Sequence, residues 1–142
     1  MLLGVTSPHA EPKELGDRWL LGWRGLRVEQ LRVDYRLVLM LGDACELAVE
    51  QPGVVSVGGV RAPDARPVPV VPETADVAAA LPLLRATVLS SVAFKTGTLR
   101  VVFDSGHHLE VKPSADYEAW TGTGPGTAKW VCMPGGRLAV WL

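Results

Sequence analysis

Leu37-Val38-Leu39-Met40-Leu41 runs into Gly42-Asp43-Ala44 and then Glu46-Leu47-Ala48-Val49-Glu50. Further along, Leu99-Arg100-Val101-Val102-Phe103 runs into Asp104-Ser105-Gly106 and then His108-Leu109-Glu110-Val111-Lys112. The two stretches align residue for residue at a constant offset of 62. In each, apolar residues recur at every second position on both sides of a short break, the period of a half-buried β-strand. Asp104-Ser105-Gly106 supplies turn chemistry, with Gly106 free to take positive φ. Each stretch therefore predicts a β-hairpin, and the pair predicts an internal duplication.

A further strand precedes each hairpin. Val28, Leu31 and Val33 are apolar in the first copy, and Leu89, Val92 and Phe94 fill the matching places at an offset of 61. On this alignment Asp34-Tyr35-Arg36 is one residue shorter than Lys95-Thr96-Gly97-Thr98. The apolar spacing is three and then two in both copies, which predicts a β-bulge at the same point of each strand.

Between the copies, Val54-Val55-Ser56-Val57 reads as a short strand, and the proline-rich stretch from Pro63 to Pro72 as an extended connection. Thr74 reads as the N-cap of a short helix that buries Val77, Ala80, Leu81 and Leu84 and ends or kinks at Pro82. Asp116 to Trp120 reads as one helical turn, Gly122 to Gly126 as a glycine-rich loop. Lys129 to Met133 and Arg137 to Leu142 form a last hairpin about Pro134-Gly135-Gly136. Trp19, Leu20, Leu21 and Trp23 mark an apolar segment that docks on the rest. The expected fold is α+β and mainly β: two sequence-related three-stranded antiparallel meanders, one short helix between them and a C-terminal hairpin. One continuous sheet and a partly open barrel both satisfy this pattern. Residues 1–14 read as a tail and 15–142 as a single duplicated-meander domain.

At 142 residues the chain has the length of one domain, and 48% hydrophobic with 20% charged residues is a globular composition. A formal net charge of -1 argues against a dedicated nucleic-acid binder and against a grip on anionic membranes. No apolar run is long enough to span a bilayer as a helix, and Met1 to Ala10 lacks a basic n-region. A cytoplasmic location is the expectation. Ile and Asn are absent and lysine is limited to Lys13, Lys95, Lys112 and Lys129, which reflects a GC-rich genome and not a chemical demand.

Chemical candidates are few. With two cysteines, Cys45 and Cys132, neither a disulfide framework nor a four-cysteine zinc site can be built. His107 and His108 are neighbours on a strand, so their rings point to opposite faces and cannot chelate one ion. A pocket reading draws on Asp104, His107, His108 and Cys132. The competing reading makes the histidines solvated and both cysteines buried and inert. Gly122 to Lys129 has the texture of a phosphate loop but lacks Gly-Lys-Ser/Thr opening a helix, and Pro125 removes a backbone donor. The cations Arg24, Arg27, Arg32 and Arg36 alternate with Glu29 and Asp34, the pattern of a solvated strand face. No metal and no cofactor is expected. The five tryptophans supply core bulk or an interface patch. On the second reading Trp120, Trp130 and Trp141, with Tyr117, form a protein-binding surface.

Three ordered stretches carry a resemblance: Val33 to Leu39; Ala93 to Leu99 running on to Phe103-Asp104-Ser105-Gly106; and Asp116 to Trp120 followed by Pro134 to Trp141. Together they resemble a small family of uncharacterised domains encoded mainly in GC-rich actinobacterial genomes, over about Gly25 to Trp141. That resemblance implies no activity, cofactor or catalytic residue. The expected function is a non-catalytic protein-binding module, of the immunity-protein or accessory-subunit kind, whose partner is a toxin or a larger assembly. The alternatives are a small enzyme or ligand-binding domain using a cleft between the meanders, and a structural subunit forming a homodimer by sheet-edge pairing.

Overall fold

The computed structural model describes residues 11–59 and 61–142. The expectations for Met1 to Ala10, including most of the tail, lie outside the described residues. Two short strands come first, β1 (Lys13–Glu14) and β2 (Arg18–Leu20). The first meander is β3 (Val28–Val33), β4 (Leu37–Leu41) and β5 (Cys45–Val49). Then come β6 (Gly53–Val57), β7 (Val68–Val70) and two 3-10 helices, Pro72–Thr74 and Ala78–Leu83. The second meander is β8 (Val88–Phe94), β9 (Leu99–Phe103) and β10 (His107–Val111). The chain closes with β11 (Trp120–Thr123), β12 (Lys129–Cys132) and β13 (Leu138–Trp141).

The strands form two antiparallel sheets and not one: a seven-stranded sheet ordered β1-β2-β8-β9-β10-β6-β7 and a six-stranded sheet ordered β13-β12-β11-β5-β4-β3. The fold is thus mainly β, with both meanders present, and each meander belongs to a different sheet. Residues from both sheets make one core cluster, among them Leu37, Leu39, Leu47, Trp120 and Trp130 from one and Trp19, Leu99, Val101, Phe103 and Leu109 from the other. Each such large side chain gains about 1.5–3 kcal/mol from leaving water.

The copies meet at equivalent residues. Arg27 bridges Thr87, the Val28 N–H donates to the Ala86 carbonyl at 2.8 Å, and the Val88 N–H donates to the Leu26 carbonyl at 2.8 Å. That reciprocity is what a local two-fold between the copies requires. The bulges also correspond, falling between Val28 and Gln30 in β3 and between Val88 and Ser90 in β8.

The register corrects the alignment of the first strands. Val33 pairs Leu37 while Ala93 pairs Leu99, so β8 matches β3 at an offset of 60 although β9 matches β4 at 62. The second connection is therefore two residues longer than the first. Since strand side chains alternate, the one-residue error exchanges faces: Val88, Ser91 and Ala93 are buried inside, whereas Leu89, Val92 and Phe94 lie on the other face, Leu89 half-exposed.

The predicted α-helix is also corrected. Its buried residues are Val77, Ala80 and Leu83, whereas Leu81 is 60% exposed and Leu84 36%. Spacing of three is the 3-10 period, in which i and i+3 eclipse. The Thr74 hydroxyl donates back to the Val71 carbonyl at 3.3 Å and caps no helix. Asp116 to Ala119 makes no helical turn, with bends only at Ala115 to Tyr117, and Gly122 lies inside β11, not in a loop. Gly122 is small for a reason: a Cβ there would come within 2.7 Å of the Trp23 indole.

Candidate functional site

Trp120 and Trp130 leave the set of surface candidates, because both are fully buried. The Trp120 Nε1–H donates to the Gly97 carbonyl at 2.9 Å, tying the six-stranded sheet to the β8–β9 connection of the other. Trp130 meets Trp19 and Trp23 edge-on, with centroids 6.1 and 6.5 Å apart, the geometry that aromatic quadrupoles favour. Trp141, at 54%, and Tyr117, at 43%, are exposed. Register sets them at opposite ends of the sheet. Trp141 is level with Lys129 and Thr123, and the Tyr117 hydroxyl donates to Gln51 Oε1 at 2.8 Å, beyond the Val49 and Trp120 end.

The four pocket candidates are dispersed. Asp104 Oδ1 accepts from the Thr87 N–H at 2.9 Å, and His107 Nδ1 lies 2.9 Å from Ser105 Oγ, so both serve the β9–β10 turn. The Cys132 thiol is in the core and donates to the Gly97 carbonyl at 3.3 Å; burial pushes its pKa up to about 11. Burial raises the Cys45 thiol too, so neither is a thiolate near neutral pH. Side chains of the core fill the space between the meanders, where a cleft was the alternative expectation. Among the described residues no group of three or more His, Cys, Asp or Glu is arranged to hold a metal ion. No described helix is long and apolar enough to cross a membrane.

His108 alone of these four lines a groove. The groove has a volume of about 500 Å³ and lies on the outer face of the seven-stranded sheet, where β8, β9 and β10 meet the residues after β6. Phe94, Arg100, His108, Lys112 and Arg61 surround it, with the Thr96 and Thr98 hydroxyls. Arg100 pairs with Glu110 at 3.3 Å and also stands 5.2 Å from the Phe94 ring centre, with Arg18 at 4.7 Å from the same ring. Desolvation, with Arg100 nearby, lowers the His108 pKa below its ordinary value, so the ring is neutral at pH 7. Its Nδ1 is buried without a hydrogen-bond partner among the described residues. Sequence reasoning missed Phe94, Arg100, Lys112 and Arg61 as a group. The alternation of Arg100 with Leu99 and Val101, and of Lys112 with Val111, is the signal that could have marked both as outward-facing. Their meeting with Arg61 depends on the non-local pairing of β10 with β6.

The sheet edges form the second surface. β1 has two residues, both charged; β7 has three, including Pro69; β3 carries Glu29 and Arg32 and a bulge. These are the usual guards against strand addition. β13, Leu138-Ala139-Val140-Trp141, has none of them and, among the described residues, has no strand on its side away from β12. The Met133 N–H donates to the Arg137 carbonyl at 2.8 Å, and alternation from that pair turns the N–H and C=O of Leu138 and Val140 outward.

No curated protein and no solved structure matches the chain. A family model matches residues 19–142, a span that takes in Trp19 and Trp23 together with both meanders, both surfaces and the last hairpin. The chain belongs to the family this model describes, DUF6188, a family of unknown function.

Proposed function

We propose that the chain is a non-catalytic protein-binding module that takes an extended segment of a partner protein alongside β13. The observation that supports this is the unguarded edge: four uncharged residues, no proline, Trp141 and Leu142 54% and 67% exposed, and backbone groups of Leu138 and Val140 facing outward. Strand addition draws its affinity from such main-chain groups and its specificity from alternate side chains. Lys129 and Arg137 flank the edge, and neither forms an ion pair among the described residues. A partner segment bearing acidic residues complements them. A second copy of this chain does not, since antiparallel self-pairing of β13 brings together two edges that both carry Lys129 and Arg137. An immunity-type inhibitor or an accessory subunit is the role this surface suits. We read the origin as a GC-rich genome from the composition, and as actinobacterial from the family resemblance alone. The compartment we propose is the cytoplasm, which two free buried cysteines suit.

Trp141→Glu tests the edge, because the new carboxylate faces Lys129 across the pair and spares the fold while placing a charge on the strand. A photo-crosslinker at position 142 in the host is expected to capture one protein in stoichiometric amount, through an extended segment rich in Asp or Glu. Trp141→Glu should abolish the capture. Capture that persists unchanged in Trp141→Glu, or crosslinks only between copies of this chain, overturns the proposal.

A further inference from the structure

The groove on the outer face of the seven-stranded sheet does not depend on the β13 edge. Its walls hold three cations, Arg61, Arg100 and Lys112, against one carboxylate, Glu110. With His108 neutral, the lining carries a formal charge of +2 in a chain whose formal net charge is -1. Four other arginines are matched: Arg18 with Asp17, Arg27 with Glu29, Arg32 with Glu46, Arg36 with Asp34. Arg61 and Lys112 form no such pair among the described residues, and both line this one concavity. A concentration of unmatched positive charge inside a concave site focuses potential on whatever enters it.

We infer that this groove binds the phosphoryl group of a small soluble compound. The chemistry matches in three respects. A phosphate dianion neutralises the +2 of the lining, which a single carboxylate does not. Guanidinium forks pair with phosphate oxygens bidentately, and Glu110 at 3.3 Å holds the Arg100 fork in place. Thr96 and Thr98 add hydroxyl donors at the rim, and the volume of about 500 Å³ exceeds what phosphate alone needs, leaving room for the rest of the compound beside Phe94. Arg32 of the first meander, matched by Glu46 at 3.2 Å, does not line this groove.

Calorimetric titration with inorganic pyrophosphate, at constant ionic strength, tests the assignment. Saturable one-to-one binding is expected. Lys112→Gln, at an exposed position, should weaken it severalfold, and the Arg100→Gln/Lys112→Gln pair at least tenfold, with Arg32→Gln unchanged. Thermal midpoints of the variants establish that they fold, and Lys112→Gln alone carries the test if the pair does not. Absence of saturable binding, or equal weakening by Arg32→Gln, overturns the inference. Binding of vesicles containing phosphatidic acid without binding of pyrophosphate also overturns it, by moving the phosphoryl group from a soluble compound to a lipid.

Discussion

The two meanders share strand order, bulge position and hairpin pattern, yet their connections differ by two residues, and the molecule's two outer faces differ with them. In the first copy, Val33 and Leu37 are joined through Asp34-Tyr35-Arg36, an exposed turn that touches little else. In the second, Ala93 and Leu99 are joined through Phe94 to Thr98, and this longer link reaches across the molecule. Its Gly97 carbonyl accepts from both Trp120 Nε1 and Cys132 Sγ, and Gly97 packs on Gly136 of the last hairpin so closely that a Cβ would lie 2.6 Å from the Gly136 Cα. Above it, Phe94, Thr96 and Thr98 become walls of the groove. On the outer face of the first copy Val38 and Ala48 are buried, and Arg32 pairs with Glu46 as Arg100 does with Glu110. A short insertion in one copy of a duplication thus supplies both a clamp between sheets and one side of a cavity. The unmodified copy remains a plain structural face.

The largest effect that separates the copies is expected on the clamp. Trp120→Ala leaves a cavity and reduces the donors to the Gly97 carbonyl to the weak Cys132 thiol, and should lower stability in urea unfolding by about 3–5 kcal/mol. Tyr35→Ala, at the exposed turn of the first copy, should change it by less than about 0.5 kcal/mol. Similar values for the two would break the comparison. Gly97→Ala comes next: its φ of 110° and its contact with Gly136 should cost about 3 kcal/mol. Gly106→Ala, with a φ of 85° but nothing within 4 Å, should cost only about 1 kcal/mol.

The smallest effect concerns pH and sharpens the contrast between the faces. His108, faced by Arg100, Arg61, Lys112 and Glu110, has a lowered folded pKa, so the unfolded chain takes up its proton first. Its contribution is therefore fully present above the ordinary imidazole pKa of roughly 6.5 and is lost as pH falls through that value toward the folded pKa. The thermal midpoint should decline over that window, and His108→Gln should remove part of the decline. A profile identical in His108→Gln shows that the imidazole is not held neutral by its site.

Local patterning carried much of the architecture. The alternation in Leu37 to Leu41 and Leu99 to Phe103, the Asp104-Ser105-Gly106 turn and the Pro134-Gly135-Gly136 hairpin are legible because a period of two and turn chemistry depend on neighbours in sequence. The bulges were legible for the same reason, but the face of β8 was not. Leu89, Val92 and Phe94 reproduce the apolar spacing of Val28, Leu31 and Val33, and only the length of the closing loop, set by Gly97 against Gly136, decides that they point outward. The site was less legible still. Trp120, Trp130 and Trp141 look alike in sequence. The pairing of β11 with β5 buries the first and T-shaped packing on Trp19 and Trp23 encloses the second, while the third sits on an edge.

The sequence by itself determined the strands of the two meanders and the last hairpin, the duplication and the lack of a recognisable catalytic motif, since these follow from composition and from spacings within a few residues. The tertiary structure alone decided the division into two sheets, the face each strand presents, the unguarded β13 edge and the meeting of Arg61, Arg100 and Lys112. Those features rest on pairings between distant segments, β10 with β6 and β11 with β5, whose register local sequence does not encode.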